Sequence, residues 1–129
     1  MGLTTVGDYV YMLTWRSHSI LKFSLSEILQ AADDDSKSPN EASKVSYEQL
    51  DLPHPMKQAW GLSNDSKGRL YISDGTNEIY VVDPASWQVE TIISVRTMHG
   101  NDPVSELNEL EVVDDKWIFA NQYTENEVL

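Results

Sequence analysis

Residues 61–84 read GLSNDSKGRLYISDGTNEIYVVDP, and the punctuation of this stretch is that of short antiparallel strands. A turn cluster, Asn64-Asp65-Ser66-Lys67-Gly68, precedes a run in which Leu70 and Ile72 alternate with Tyr71 and Ser73, the period-two pattern of a strand with one buried face. Asp74-Gly75-Thr76-Asn77 then supplies a hairpin connection in which Gly75 can take a positive φ. Glu78 to Val82 returns as a strand, Asp83-Pro84 breaks it, and Trp87 to Val95 reads as a fourth. Four short strands in roughly 40 residues is the size of one β-propeller blade.

Working outward, the same order of features recurs on both sides. GLTTVGDYVYMLTWRSHSILKF begins at Gly2, and ELEVVDDKWIFANQYTENEVL begins at Glu109 with its turn at Asp114-Asp115 and its second strand over Trp117 to Asn121. Each copy has an apolar start, a turn, an alternating run, a second turn and another alternating run. The first copy is interrupted. Ser24-Leu25-Ser26-Glu27 has capping-box spacing and Leu25, Ile28 and Leu29 form a short helical stripe, predicting a helix of about two turns. The acidic, Ser- and Pro-containing run that follows reads as a solvated loop, with Lys44 to Leu50 as the outer strand. The predicted fold is all-β: a β-propeller of four-stranded antiparallel blades, with one blade over residues 1–50 carrying a helix and loop insertion at 25–43, one over 58–95, and an incomplete one over 106–129. Two to three blades do not close a ring, so missing blades or a second chain are expected to complete it.

Composition narrows the partners. Apolar residues make up 40% of the 129 residues, with four Trp and six Tyr, enough for a core. A net charge of −12 repels phosphate backbones and anionic headgroups, which excludes nucleic acid and membrane surface as partners. No run approaches eighteen consecutive apolar residues, and the N-terminus carries no basic-then-apolar leader. Cysteine is absent, and His18, His54 and His99 lack the close spacing of a zinc site, so no metal is assigned. The Asp33-Asp34-Asp35 triplet lacks the Gly and the twelfth-position Glu of an EF-hand loop.

In a blade the second strand returns to the rim from which the innermost strand starts. Aligned copies put Trp60 and Asn108 at inner-strand starts, and Trp15 and Tyr123 at second-strand ends with Gly75 at the third such place. These side chains would face one channel mouth, an aromatic wall with few polar groups as in small-ligand sites. For Trp15 and Trp60 the repeat leaves pocket and core open as alternatives; Trp87 and Trp117 read as core. Asn108 and Glu109 would each need polar partners if buried.

Leu13-Thr14-Trp15, Ala59-Trp60-Gly61-Leu62, Leu70 to Thr76, Ile79 to Pro84, Leu107-Asn108-Glu109-Leu110-Glu111 and Ala120-Asn121 together resemble, in order and spacing, the LTW, GWGLT, LYMSDGS, LYVIDP, LNELEY and ANVW segments of the plant-type glutaminyl-peptide cyclotransferases. The resemblance implies a five-bladed propeller that uses no catalytic metal or other cofactor, and a substrate peptide with N-terminal Gln. It implies a substrate pocket lined by Trp15, Trp60, Asn108 and Tyr123, the last standing where the family has Trp. The family's proposed catalytic Glu and an amide-bearing FTQGL segment fall in a first blade upstream of this chain, and a Lys falls in a later one. The catalytic residue is therefore left unassigned; Glu109 is a candidate whose structural alternative is bracing the channel. On that reading the chain alone does not cyclise glutamine. A non-catalytic binding propeller is the competing function, and a propeller hydrolase of other specificity a third. Secretory or periplasmic location follows from resemblance alone, and the sequon Asn64-Asp65-Ser66 permits glycosylation there.

Overall fold

A computed structural model describes residues 2–14, 17–33 and 44–123. β1 (Leu3–Val6), β2 (Tyr9–Leu13), β3 (Ser19–Ser24) and β4 (Tyr47–Asp51) form one antiparallel sheet in sequence order. β5 (Leu62–Asn64), β6 (Leu70–Ser73), β7 (Glu78–Asp83) and β8 (Gln88–Ser94) form a second, and β9 (Leu107–Val113) pairs with β10 (Trp117–Gln122) in a third. The helix α1 (Leu25–Ala32) follows β3 directly, with Ser24 as its N-cap and the Ser24 hydroxyl accepting from the Glu27 amide. The outer strand of the first sheet begins at Tyr47, three residues later than its composition suggested.

Turn chemistry fixes the hairpins. Asp65 Oδ1 accepts from the amides of Lys67 (3.0 Å) and Arg69 (2.9 Å), and Gly68 takes φ +80°, which bends the chain from β5 into β6. Asp74 Oδ1 accepts from Thr76 N (3.0 Å) in the same manner between β6 and β7. Asp114 and Asp115 both sit at φ +53°, a conformation that short polar side chains tolerate, and turn β9 into β10.

The sheets stack through two apolar layers. Leu70 and Ile72 of β6 with Tyr80 and Val82 of β7 join Tyr11, Leu13 and Ile20 of the first sheet. The alternate residues, Tyr71, Ile79 and Val81, join Leu107, Leu110 and Ala120 of the third. Every residue of β6 is therefore buried, where the alternation predicted one buried face. A period of two says which residues share a face; the hydroxyls of Tyr71 and Ser73 made one face look solvent-bound, but both are hydrogen-bonded inside.

Side chains also stitch the seams. Thr4 Oγ1 donates to Asn64 Oδ1 (2.5 Å), and Asn64 Nδ2 donates to the Asp65 carbonyl (3.1 Å). The amide of the sequon is thus built into the junction of the first two sheets. The Ser63 hydroxyl accepts from Val112 N (3.1 Å), joining β5 to β9.

Two tryptophans read as core have different fates. Trp87 is half-buried, stacks on Tyr11 at 6.4 Å between ring centroids, and donates from Nε1 to the Asp51 carbonyl (2.8 Å). Trp117 is 64% exposed, so its assignment to the core is corrected. It lies with Phe119 on the face of β10 opposite Ile118 and Ala120, and only the latter pair packs on the second sheet.

Candidate functional site

The site is assembled around the end of β6. Ser73 stands at the junction of the second and third sheets: its carbonyl accepts from Trp60 N (2.8 Å), and its hydroxyl accepts from Gly61 N (2.9 Å) while donating to the Asn108 carbonyl (2.6 Å). One buried serine therefore sets the height of Trp60 and Asn108 together. Gly61 is required for the approach, because a Cβ there would stand 1.9 Å from the Asn108 carbonyl oxygen.

Gly75 completes the frame. At φ +82° it lies under the Trp60 indole, where a Cβ would meet Cε2 and Cζ2 at 2.6 Å. The repeat aligned Gly75 with Tyr123, and the geometry explains the difference: without a side chain at this place, the Trp60 ring occupies the space. The Gly75 carbonyl accepts from Glu106 N (2.9 Å), and the Glu106 carbonyl accepts from Tyr123 N (2.8 Å), so the same loop sets Tyr123. The rings of Trp60 and Tyr123 meet edge to face, with centroids 5.7 Å apart and planes at 83°.

A cavity of about 560 Å³ opens above this frame. Trp60, Asn108 and Tyr123 line it, so three of the four sequence-predicted residues share one wall; Trp15 lies outside the described residues. Leu13 and Thr14, at and just after the end of β2, line it too, with His18 in the following turn at φ +48°. Thr14 is held by hydrogen bonds to the Ser19 carbonyl (2.8 Å) and to the Ser17 hydroxyl. Glu109 is exposed and is not among the cavity residues; its amide donates to Asn121 Oδ1 (2.9 Å).

Sequence reasoning missed Gln58, Thr14 and His18. Gln58 has no periodic neighbour to mark it, since residues 52–61 lie outside any strand. Its amide nitrogen donates to the Asp74 carbonyl (2.7 Å), and that loop is braced in turn. Asp74 Oδ1 also accepts from Thr76 Oγ1 (2.5 Å), while the Tyr80 hydroxyl lies 3.2 Å from Asp74 Oδ2 and 2.9 Å from Glu78 Oε2. Burial, then the Glu78 carboxylate, push the Tyr80 phenol far above its ordinary value, so it stays a neutral donor. Among the described residues no cluster of His, Asp and Glu could hold a metal ion.

The glutamine cyclotransferase family profile matches residues 1–129, the full length of the chain. The chain belongs to the glutamine cyclotransferase family. A glutaminyl-peptide cyclotransferase of Arabidopsis thaliana is 30% identical over 120 residues, covering 93% of this chain and 31% of the plant protein. The crystal structure of Myxococcus xanthus glutaminyl cyclase superposes with a TM-score of 0.66 at 23% identity, over 99% of this chain and 45% of that one, a likeness of fold. The chain thus spans about a third of the plant relative and under half of the bacterial structure.

Proposed function

We propose that the chain forms part of a glutaminyl-peptide cyclotransferase, which converts N-terminal glutamine of peptides to pyroglutamate with release of ammonia, on a propeller of five blades to which the three sheets contribute. The observation that carries this reading is the division of labour at Asn108. The fold uses its backbone carbonyl, held by Ser73, while its side chain faces the cavity beside Trp60 and Tyr123 and makes no hydrogen bond among the described residues. A polar side chain that the fold does not use, set in an aromatic wall, is suited to a ligand.

In this reaction the neutral α-amine attacks the side-chain amide carbon of the same residue. Positioning therefore supplies much of the rate, and an aromatic cage that folds the glutamine side chain back on itself provides it. Trp60, Tyr123 and, by family resemblance, Trp15 form the cage. The Asn108 amide anchors the substrate and stabilises negative charge on the amide oxygen. A carboxylate moves a proton from the amine to the leaving nitrogen. Family resemblance assigns that role to a Glu in another blade, with no metal or cofactor, and Glu109 is read as structural. Turnover by this chain alone is expected to be negligible.

The test is ammonia release from a Gln-initiated peptide by an intact protein carrying these residues. Asn108→Ala should lower kcat/KM at least about tenfold while unfolding shifts by less than about 1 kcal/mol. Equal losses of folding and activity would make Asn108 structural. Peptide binding without ammonia release in the unaltered protein would favour a non-catalytic propeller.

A further inference from the structure

Gln58 lines the cavity, and its amide has an enforced orientation. The Asp74 backbone oxygen at 2.7 Å can only accept, so the Gln58 NH2 group must face it, and Oε1 is the end left over. Among the described residues Oε1 has no hydrogen-bond partner. The Asp74 carbonyl that imposes this choice belongs to the loop fixed by Thr76 and Tyr80, immediately before the Gly75 that carries the Trp60 ring. The carboxamide is therefore registered to the aromatic wall by adjacent residues of one loop.

From this we infer that Gln58 is a further substrate-positioning residue, whose Oε1 accepts a hydrogen bond from the α-amine of an N-terminal glutamine. The inference rests on the cyclotransferase reading of the cavity. The polarity suits the nucleophile: an acceptor engages an amine N–H and leaves the nitrogen lone pair free to attack, whereas a donor at the same place would occupy the lone pair. A neutral carbonyl also binds an uncharged amine without the preference for ammonium that a carboxylate brings. Asn108, whose side chain has no such anchor, remains for the substrate carboxamide, so the two amides serve opposite ends of one residue.

The experiment is a double-mutant cycle of binding with the chain itself, followed by NMR titration of its indole resonances. Two probes are used: a Gln-initiated peptide, and the same peptide with the α-amine replaced by hydrogen. The unaltered chain should bind the first about fivefold to tenfold more tightly than the second, the worth of one neutral hydrogen bond. Gln58→Met, which keeps the side-chain length, should erase that preference and leave the des-amino peptide bound as before. Gln58→Ala is the second variant should Met disturb the loop. If the unaltered chain prefers the amine and both Met and Ala variants keep the preference, the role of Gln58 is overturned while the cyclotransferase reading stands. If the unaltered chain binds neither peptide, the comparison moves to an intact protein carrying these residues, as KM of the Gln-initiated peptide against the inhibition constant of the des-amino one. There, binding of neither overturns the reading of the cavity and the inference with it, and an amine preference that survives Gln58→Met overturns the role of Gln58 alone.

Discussion

The second sheet and the third have the same kind of sequence and very different surroundings. In β6 and β7 nearly every residue is buried, because the first sheet covers one face and the third covers the other. In β10 only one face is covered, and Trp117 and Phe119 stand 64% and 48% exposed on the other. The amount of hydrophobic residue in a strand therefore does not decide its burial here; the number of neighbouring sheets does. The cavity lies where these regions join.

The largest effect is expected at the seam. Gly61→Ala would drive a methyl group to 1.9 Å from the Asn108 carbonyl oxygen, and neither side can yield easily: Gly61 is bonded to Ser73 through both its amide and its carbonyl, and Asn108 is bonded to the Ser73 hydroxyl. The third sheet must move away from the second, at about 3–5 kcal/mol by urea unfolding. A loss below 1 kcal/mol would mean that the two regions are not rigidly joined and that the cavity wall is adjustable.

A smaller effect is expected inside the second sheet. The Asp65 carboxylate is buried, paired with Arg69 Nη2 at 2.6 Å and within 3.3 Å of the Tyr71 hydroxyl. Burial would raise its pKa, but the amide and guanidinium of Arg69 and the amide of Lys67 together hold it below the ordinary carboxylate value. A group whose folded pKa is depressed contributes stability above its unfolded value, near 3.9, and loses that contribution as pH falls through the folded value. Asp65→Asn should therefore cost about 2 kcal/mol at pH 7, with the gap to the unaltered chain closing as the pH falls below about 4. Urea unfolding across that range measures it, and a gap that stays constant would show that the charge of Asp65 is not what matters.

The strands and their hairpins were legible because their causes are local. Gly75, Gly68 and the aspartates at 65, 74 and 114–115 sit where turn geometry needs them, and Ser24 caps the helix that its spacing announced. That Trp60, Asn108 and Tyr123 would come together at one cavity was legible through the repeat, which carries position on a sheet as well as strand type. What escaped was set by contacts between sheets. Tyr71 is buried because the third sheet packs over it, and the Ser73 hydroxyl is satisfied by the Asn108 carbonyl thirty-five positions away. Gln58 lies in an irregular segment and takes its orientation from a carbonyl sixteen positions away. The signal that could have found it was its place two residues before Trp60, close enough to share the same wall.

The smallest effect is expected on the open face of the third sheet, where the comparison is most easily broken. The Trp117 side chain contributes no ring stacking or hydrogen bond among the described residues, and its exposure limits the apolar area lost on substitution. Trp117→Thr preserves strand propensity through a β-branched side chain and should change unfolding free energy by less than about 0.5 kcal/mol. Ile72→Ala in the second sheet, by contrast, removes a fully buried side chain and should cost about 2–5 kcal/mol. Urea unfolding of both variants at two protein concentrations gives the measurement. A loss near 2 kcal/mol for Trp117→Thr that grows with protein concentration would mean that another copy covers this face in solution. In that case β10 would meet the condition that buries β6, a sheet on each side, and the contrast between the two regions would belong to the isolated chain alone.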